Sequence, residues 1–152
     1  EGRSVEALLA RLASTLDIEP AADGEAATPI RPKTFGLYLD GKWYKARVKK
    51  GSYDETDPVA RLDCSICQDQ ILGPIFGVSD PRRDKHVDFV GGIRGIGELT
   101  RRVDSGAFTA AIHLFPTQID ELFAVSDAGL LMPPKSTWFE PKLRSGLFVH
   151  TF

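Results

Sequence analysis

Residues 132–146, "MPPKSTWFEPKLRSG", gather Lys135, Ser136, Thr137, Lys142 and Arg144 on a segment too rich in proline for a helix or a central strand. Two ammonium groups, two hydroxyls and a guanidinium so close together suit a carboxylate or a phosphate, which they hold by charge-assisted hydrogen bonds. The Lys-Ser-Thr run is not a P-loop. That motif wraps phosphate in bare backbone N–H groups supplied by glycines, and here prolines precede the lysine and remove a donor each. The expectation is an ordered loop pinned by Trp138 and Phe139, with Lys135 and Ser136 facing a shallow anion site. The plainer alternative keeps the same aromatic anchor and leaves the lysines in water.

Three other places invite chemistry. In "VGGIRGIGE" glycines precede a helix start, where free N–H groups and the helix dipole favour an anion and Arg94 can assist. The spacing is not the dinucleotide fingerprint, and a tight turn explains the glycines as well. His113 falls near the end of an apolar segment, at the sheet edge where open α/β folds place ligands. Cys64 and Cys67 form a C-x-x-C, but Asp63 and Asp69 supply the wrong sign for a reactive thiolate, and no second Cys or His pair completes a zinc site. The two cysteines are expected to be buried packing residues on one helix. No Ser-His-Asp spacing or paired carboxylates stand out, so no catalytic residue, metal or cofactor is assigned.

The elements that must position these groups follow from periodicity. Val5, Leu8, Leu9, Leu12 and Leu16 recur at helical spacing, with Ser4 able to cap the start. Residues 1–18 read as an amphipathic helix and residues 19–33 as a flexible connection without periodicity. "FGLYL" and "WYKARVK" flank Asp40-Gly41, a strong hairpin signal. Tyr44, Ala46 and Val48 alternate there with Lys45, Arg47 and Lys49, giving one buried and one basic face. "LDCSICQDQIL" predicts a helix capped by Asp63 and ending near Gly73-Pro74. Then "HVDFVGG" reads as a strand, "RGIGELTRRVDSG" as a helix, and "FTAAIHLF" as a strand apolar on both faces, hence interior. "PTQIDELFAVSDAG" reads as a helix with a capping-box start at Thr117 and Asp120, and "GLFVHTF" as a last strand. The expected fold is α/β, with α+β as the alternative. It is one domain over residues 34–152: a mixed sheet of about five strands with helices packed on it, a hairpin followed by a β-α-β-α-β run.

The 152 residues suffice to bury roughly two thirds of the unfolded surface without disulfides. A net charge of −2 exerts no global pull toward nucleic acid or membrane, and no apolar run approaches the ~20 residues of a spanning helix. Two cysteines make no secreted framework, so a cytoplasmic setting is the default. Charge is nevertheless unevenly placed. Residues 31–50 carry seven Lys and Arg against Asp40 alone, between two acidic stretches. That basic hairpin suggests a weak nucleic-acid role less readily than an ordinary wet face.

At "LDCSICQDQILGPIFGV" and "MPPKSTWFEPKLRSGLFVH" the chain resembles the C-terminal part of a bacterial family catalogued as domain of unknown function 1015. Its members similarly carry an "LDVS" helix ending in "ILxPxxGI", a "VDSGxxxAAxxLxPT" segment and a terminal "MPPKSTxFxPKLxSGL". The likeness covers most of residues 34–152. It implies that this chain is a smaller C-terminal portion, and that a "GHHR"-type motif, similar to those of ParB-like and free-serine-kinase-like proteins, lies in an N-terminal region of the same protein. Phe115 stands where many members carry a polar Asn, and Cys64 and Cys67 where they are aliphatic. The resemblance thus implies a ligand-binding portion that takes a small anion or phosphorylated metabolite and completes a site with that N-terminal region. The alternatives are a non-catalytic interaction domain, which would self-associate as a homo-oligomer, and the nucleic-acid module.

Overall fold

The computed structural model describes residues 5–137. Helix α1 (Val5–Leu12) leads into strand β1 (Leu16–Ala21), followed by the hairpin strands β2 (Thr34–Leu39) and β3 (Lys42–Val48). Helix α2 (Asp63–Cys67) runs directly into a π-helix (Gln68–Phe76). A 3₁₀ turn (Gly92–Arg94), helix α3 (Ile96–Asp104), strand β4 (Ala110–Leu114) and helix α4 (Ile119–Asp127) complete the described chain. The strands form one sheet in the order β1-β3-β2-β4, with every pairing antiparallel. This is the α+β arrangement with helices on a sheet. Among the described residues it has four strands and no parallel neighbours.

The hairpin forms where the turn signal stands. Asp40 and Gly41 both take positive φ, 48° and 74°, the requirement of the two-residue turn that matches strand twist. Strand β2 is buried along nearly its whole length. Its two sides feed two cores: Phe35 and Leu37 meet Leu12, Leu16, Ile66 and Ile71 on one face of the sheet. On the other face Tyr38 and Trp43 pack with Ala27, and Ile96, Leu99 and Val103 of α3 close over them. The Tyr38 hydroxyl donates to Asp104 Oδ1 at 2.8 Å and ties α3 down. Burying a side chain such as Phe35 contributes about 1.5–3 kcal/mol relative to leaving it in water.

Several sequence expectations need correction. The first helix stops at Leu12 instead of reaching residue 18, because Leu16 and Ile18 join the sheet as alternate residues of β1. Pro20 is tolerated there because, among the described residues, β1 pairs with β3 alone and its other edge needs no donor. The stretch expected to be a loose connection contributes Ala21 to β1 and buries Ala27. "HVDFVGG" forms no strand. Asp80, Asp84 and Asp88 each accept a nearby backbone N–H, from Arg82, His86 and Phe89, and so draw the backbone into local turns. Asp63 does not cap its own helix; Leu62 occupies the N-cap and the Asp63 carboxylate points elsewhere. The capping interaction of α4 falls one residue later than expected, with Glu121 Oε2 accepting from the Gln118 N–H at 3.0 Å. The cap at Ser4, the anchors Trp138 and Phe139, and the strand expected at "GLFVHTF" lie outside the described residues.

Candidate functional site

An open cleft of about 1920 Å³ runs along the side of β4 that faces away from β2. One wall comes from α2 and the π-helix, through Cys64, Gln68 and Leu72; the other comes from residues 84–93 and the start of α3. Pro133 to Thr137 close the end where β4 runs out into Phe115-Pro116-Thr117. Sites for drug-sized ligands measure about 300–1,000 Å³, so this is a trough larger than a small anion needs.

Four of the seven residues singled out in the sequence line this trough: His113, Lys135, Ser136 and Thr137. The turn that carries Lys135 is docked by a specific contact. Thr117 Oγ1 donates to the Ser136 carbonyl at 2.8 Å, which fixes the turn against the chain between β4 and α4. Ser136 Oγ donates to the Pro133 carbonyl at 2.6 Å, so its proton closes the turn and only its lone pairs face outward. Lys135 is exposed, adopts a left-handed φ of 63°, and enters none of the ion pairs among the described residues. A non-glycine residue in that conformation stores strain, which is commoner at binding sites than elsewhere. Arg94 is exposed beside the trough; its neighbours Ile93 and Gly95 line it. Lys142 and Arg144 lie outside the described residues.

His113 pairs with Gly36 across the sheet, and its Nδ1 is buried with no partner among the described residues. Burial pushes its pKa below the ordinary 6.5, so at neutral pH the ring is an uncharged imidazole. It offers a ligand a hydrogen bond, not a positive charge. Gln68 has a matching loose end: Nε2 donates to the Val78 carbonyl at 2.8 Å while its buried Oε1 has no partner.

Of the two cysteines expected to be buried, Cys67 is, whereas Cys64 is only half-buried and lines the trough. Cys67 belongs to the core that holds Ile66 and Ile71, and burial, with the nearby Cys64 and Asp63 adding to it, pushes its thiol up to about 12. Cys64 is half-buried and also raised, mainly by burial. A thiol reagent at neutral pH should therefore leave Cys67 unmodified in the native protein and react with Cys64 more slowly than with free cysteine. Rapid labelling of Cys67 before unfolding would contradict its place in the core. No group of three or more His, Cys, Asp or Glu side chains is arranged to hold a metal among the described residues.

The polar cluster that sequence reasoning missed lies at the junction of three elements. Lys33, at φ 66°, donates its backbone N–H to both Asp63 carboxylate oxygens at 3.0 Å and its ammonium to Asp63 at 2.9 Å. The same ammonium lies 3.5 Å from Glu121 Oε1, and the Lys33 carbonyl accepts from the Val48 N–H at 2.9 Å. One residue thus joins β3, α2 and α4. Burial raises the Asp63 pKa, and the Lys33 hydrogen bonds and charge only partly offset this. The partners are 30 and 88 positions apart, so the single local signal was the charge of Asp63 itself.

The basic hairpin face is largely engaged. Arg47 pairs with Asp17 at 3.3 Å, and the Lys49 ammonium donates to the Ala13 carbonyl beyond the end of α1. No helix among the described residues is long and apolar enough to cross a membrane. No family model, curated protein or solved structure matches this chain.

Proposed function

We propose that this chain is a ligand-binding portion that takes a small anion, a phosphate or carboxylate group of a larger metabolite, at the end of the trough beside Thr117. The observation that supports this is the docked turn. The Thr117–Ser136 contact holds Lys135 in a strained conformation, exposed and facing no carboxylate among the described residues. A cation fixed in place loses less conformational entropy on binding than one that must be ordered. In this reading Lys142 and Arg144 add charge, and Arg94 flanks the site. His113 contributes a neutral hydrogen bond from the trough wall. The chain is assigned no chemical step, cofactor or metal of its own. The family resemblance adds that an N-terminal region of the same protein completes the site, in a bacterial cytoplasm.

Melting curves of the protein with and without millimolar inorganic phosphate, phosphoserine or ATP test this. A ligand at 100 times its Kd stabilises the folded state by about 2.7 kcal/mol. Lys135→Ala should abolish that ligand-dependent rise and leave the ligand-free curve within about 0.5 kcal/mol of wild type, as for other exposed substitutions. If no anion moves the wild-type curve, the reading fails.

A second reading, a non-catalytic interaction domain, draws on a separate observation. Helix α4 and the turn after it expose Ile119 at 60 %, Phe123 at 58 % and Leu131 at 88 %. Apolar side chains grouped on a surface are a feature of contact sites. This reading requires concentration-dependent self-association that Phe123→Asp abolishes in sedimentation. The nucleic-acid reading is the weakest, since Arg47 and Lys49 already have partners.

A further inference from the structure

The polar cluster around Lys33 and the turn that carries Lys135 are joined through one residue, Glu121 of α4. Its two carboxylate oxygens point to different partners. Oε1 lies 3.5 Å from the Lys33 ammonium, and Oε2 accepts the Gln118 N–H at 3.0 Å, at the start of α4. Gln118 is tied a second time, since its Nε2 donates to the Pro116 carbonyl at 2.7 Å. Thr117 stands between Pro116 and Gln118, and its Oγ1 is the donor that seats the turn through the Ser136 carbonyl. A continuous series of contacts thus leads from Asp63 through Lys33, Glu121 and Gln118 to Thr117 and the Lys135 turn.

The far end of this series is fixed. Lys33 gives its backbone N–H to Asp63 and takes the Val48 N–H on its carbonyl, so its ammonium extends from an immobile point. The Lys33 and Glu121 side chains are only 22 % and 17 % exposed, and water screens such a pair less than it does one on the open surface. The near end is short. Residues 115–118 are all that separate β4 from α4, so a shift of Gln118 is passed to Thr117.

We infer that Glu121 and Lys33 are positioning residues for the anion site: they hold the start of α4 so that Thr117 can seat Lys135 ready for the ligand. The inference rests on the anion reading given above and adds to it the groups that preorganise the cation. Glu121 carries the ligand's own sign, which separates its role from plain electrostatics. Removing a carboxylate favours an anionic ligand if only the field matters, and disfavours it if the seat of Lys135 is lost.

Calorimetric titration of the full chain with inorganic phosphate, at a temperature where each variant is folded, tests this. It is paired with trypsin nicking after Lys135, which reads how often the turn leaves its seat. Glu121→Ala should weaken phosphate binding about tenfold, the loss for a turn seated about a tenth of the time, and should quicken nicking by at least about tenfold. Thr117→Val deletes the hydroxyl donor and should do the same, whereas Thr117→Ser keeps it and should recover most of the affinity. The double variant Glu121→Ala/Thr117→Val should lose no more than Thr117→Val alone, because the two residues act in series. Should Glu121→Ala not fold, Glu121→Gln reads the same contacts: it keeps an oxygen for the Gln118 N–H but loses the charge that faces Lys33, and should weaken binding by a smaller factor. Unchanged or tighter phosphate binding in the Glu121 variants would overturn the inference and leave the anion site standing. A wild type that binds no phosphate, with Glu121→Ala and Thr117→Val still nicked faster, would refute the anion reading and keep Glu121 as the residue that seats the turn.

Discussion

Replacing Asp63 with alanine should lower the unfolding free energy by about 3 kcal/mol, the low end of the cost of removing one partner from a buried ion pair. The carboxylate is buried, with 9 % of its side chain exposed, and it satisfies both the Lys33 backbone N–H and the Lys33 ammonium. Alanine leaves that N–H without an acceptor and the ammonium with only Glu121 at 3.5 Å. Asp63→Asn should cost far less, within about 1.5 kcal/mol, because its carbonyl still accepts one Lys33 donor and the desolvation of a charge disappears. The pH dependence separates the two effects. The Asp63 pKa is raised in the folded state, chiefly by burial. Its contribution is therefore present in full below the unfolded value near 3.8 and is lost as pH rises through the folded value. Urea melts of wild type and Asp63→Asn across that window should show the wild type gaining relative to the variant as pH falls. A wild type and Asp63→Ala of equal stability would remove the Lys33–Asp63 contact from the account of the fold.

Gly36→Ala should destabilise the protein by about 1–3 kcal/mol, although exchanging glycine for alanine at a permissive site usually stabilises by about 0.4–1 kcal/mol. A Cβ at Gly36 would lie 2.7 Å from the Ala27 carbonyl oxygen and 3.3 Å from His113 Cβ. The first contact is with backbone, so it cannot be relieved by a rotamer change. Either the segment carrying Ala27 lifts from the sheet or β4 moves away from β2. Gly97, inside α3, is the control, since its Cβ would meet nothing within 4 Å. Gly97→Ala should stabilise by about 0.8–1 kcal/mol through helix propensity alone. Denaturant midpoints for the two variants should move in opposite directions. A stabilised Gly36→Ala would mean that residues 22–30 do not rest on the sheet as described.

What could be read from the sequence divides along the range of the interactions involved. The hairpin was legible because Asp40-Gly41 fixes a turn within four residues. Helix α3 was legible because Ile96, Leu99 and Val103 mark a period without outside help, and helix α4 because a capping start announces it, although that start falls one residue later than Thr117 and Asp120. Gly106 at φ 76° and Gly129 at φ 67° follow the ends of these helices, in the left-handed conformation that glycine takes up freely. Strand β1 was hidden by Pro20 and by acids that suit an edge and read as a linker. The π-helix was hidden because its wider turns tolerate Pro74, which a periodicity argument treats as a stop. Four of the site candidates gather in one trough, and the Thr117 contact that seats them joins residues 19 apart and has no local signature. The Lys33 cluster was wholly illegible, because nothing near Lys33 announces that Asp63 and Glu121 will reach it.

The strand order has a kinetic consequence. Leu39 pairs with Lys42 across the turn and with Ala110 nearly half the chain away. The first contact closes a loop of two residues and forms among neighbours. The second must wait while a long intervening segment is brought round, and chain entropy disfavours that closure until α2 and the π-helix have collected against the hairpin. The hairpin is thus the seed of the molecule and β4 a late arrival, so the candidate binding trough comes into existence only at the end of folding. Pulse-labelled amides should accordingly be protected in β3 before β4, and simultaneous protection of both would contradict this order.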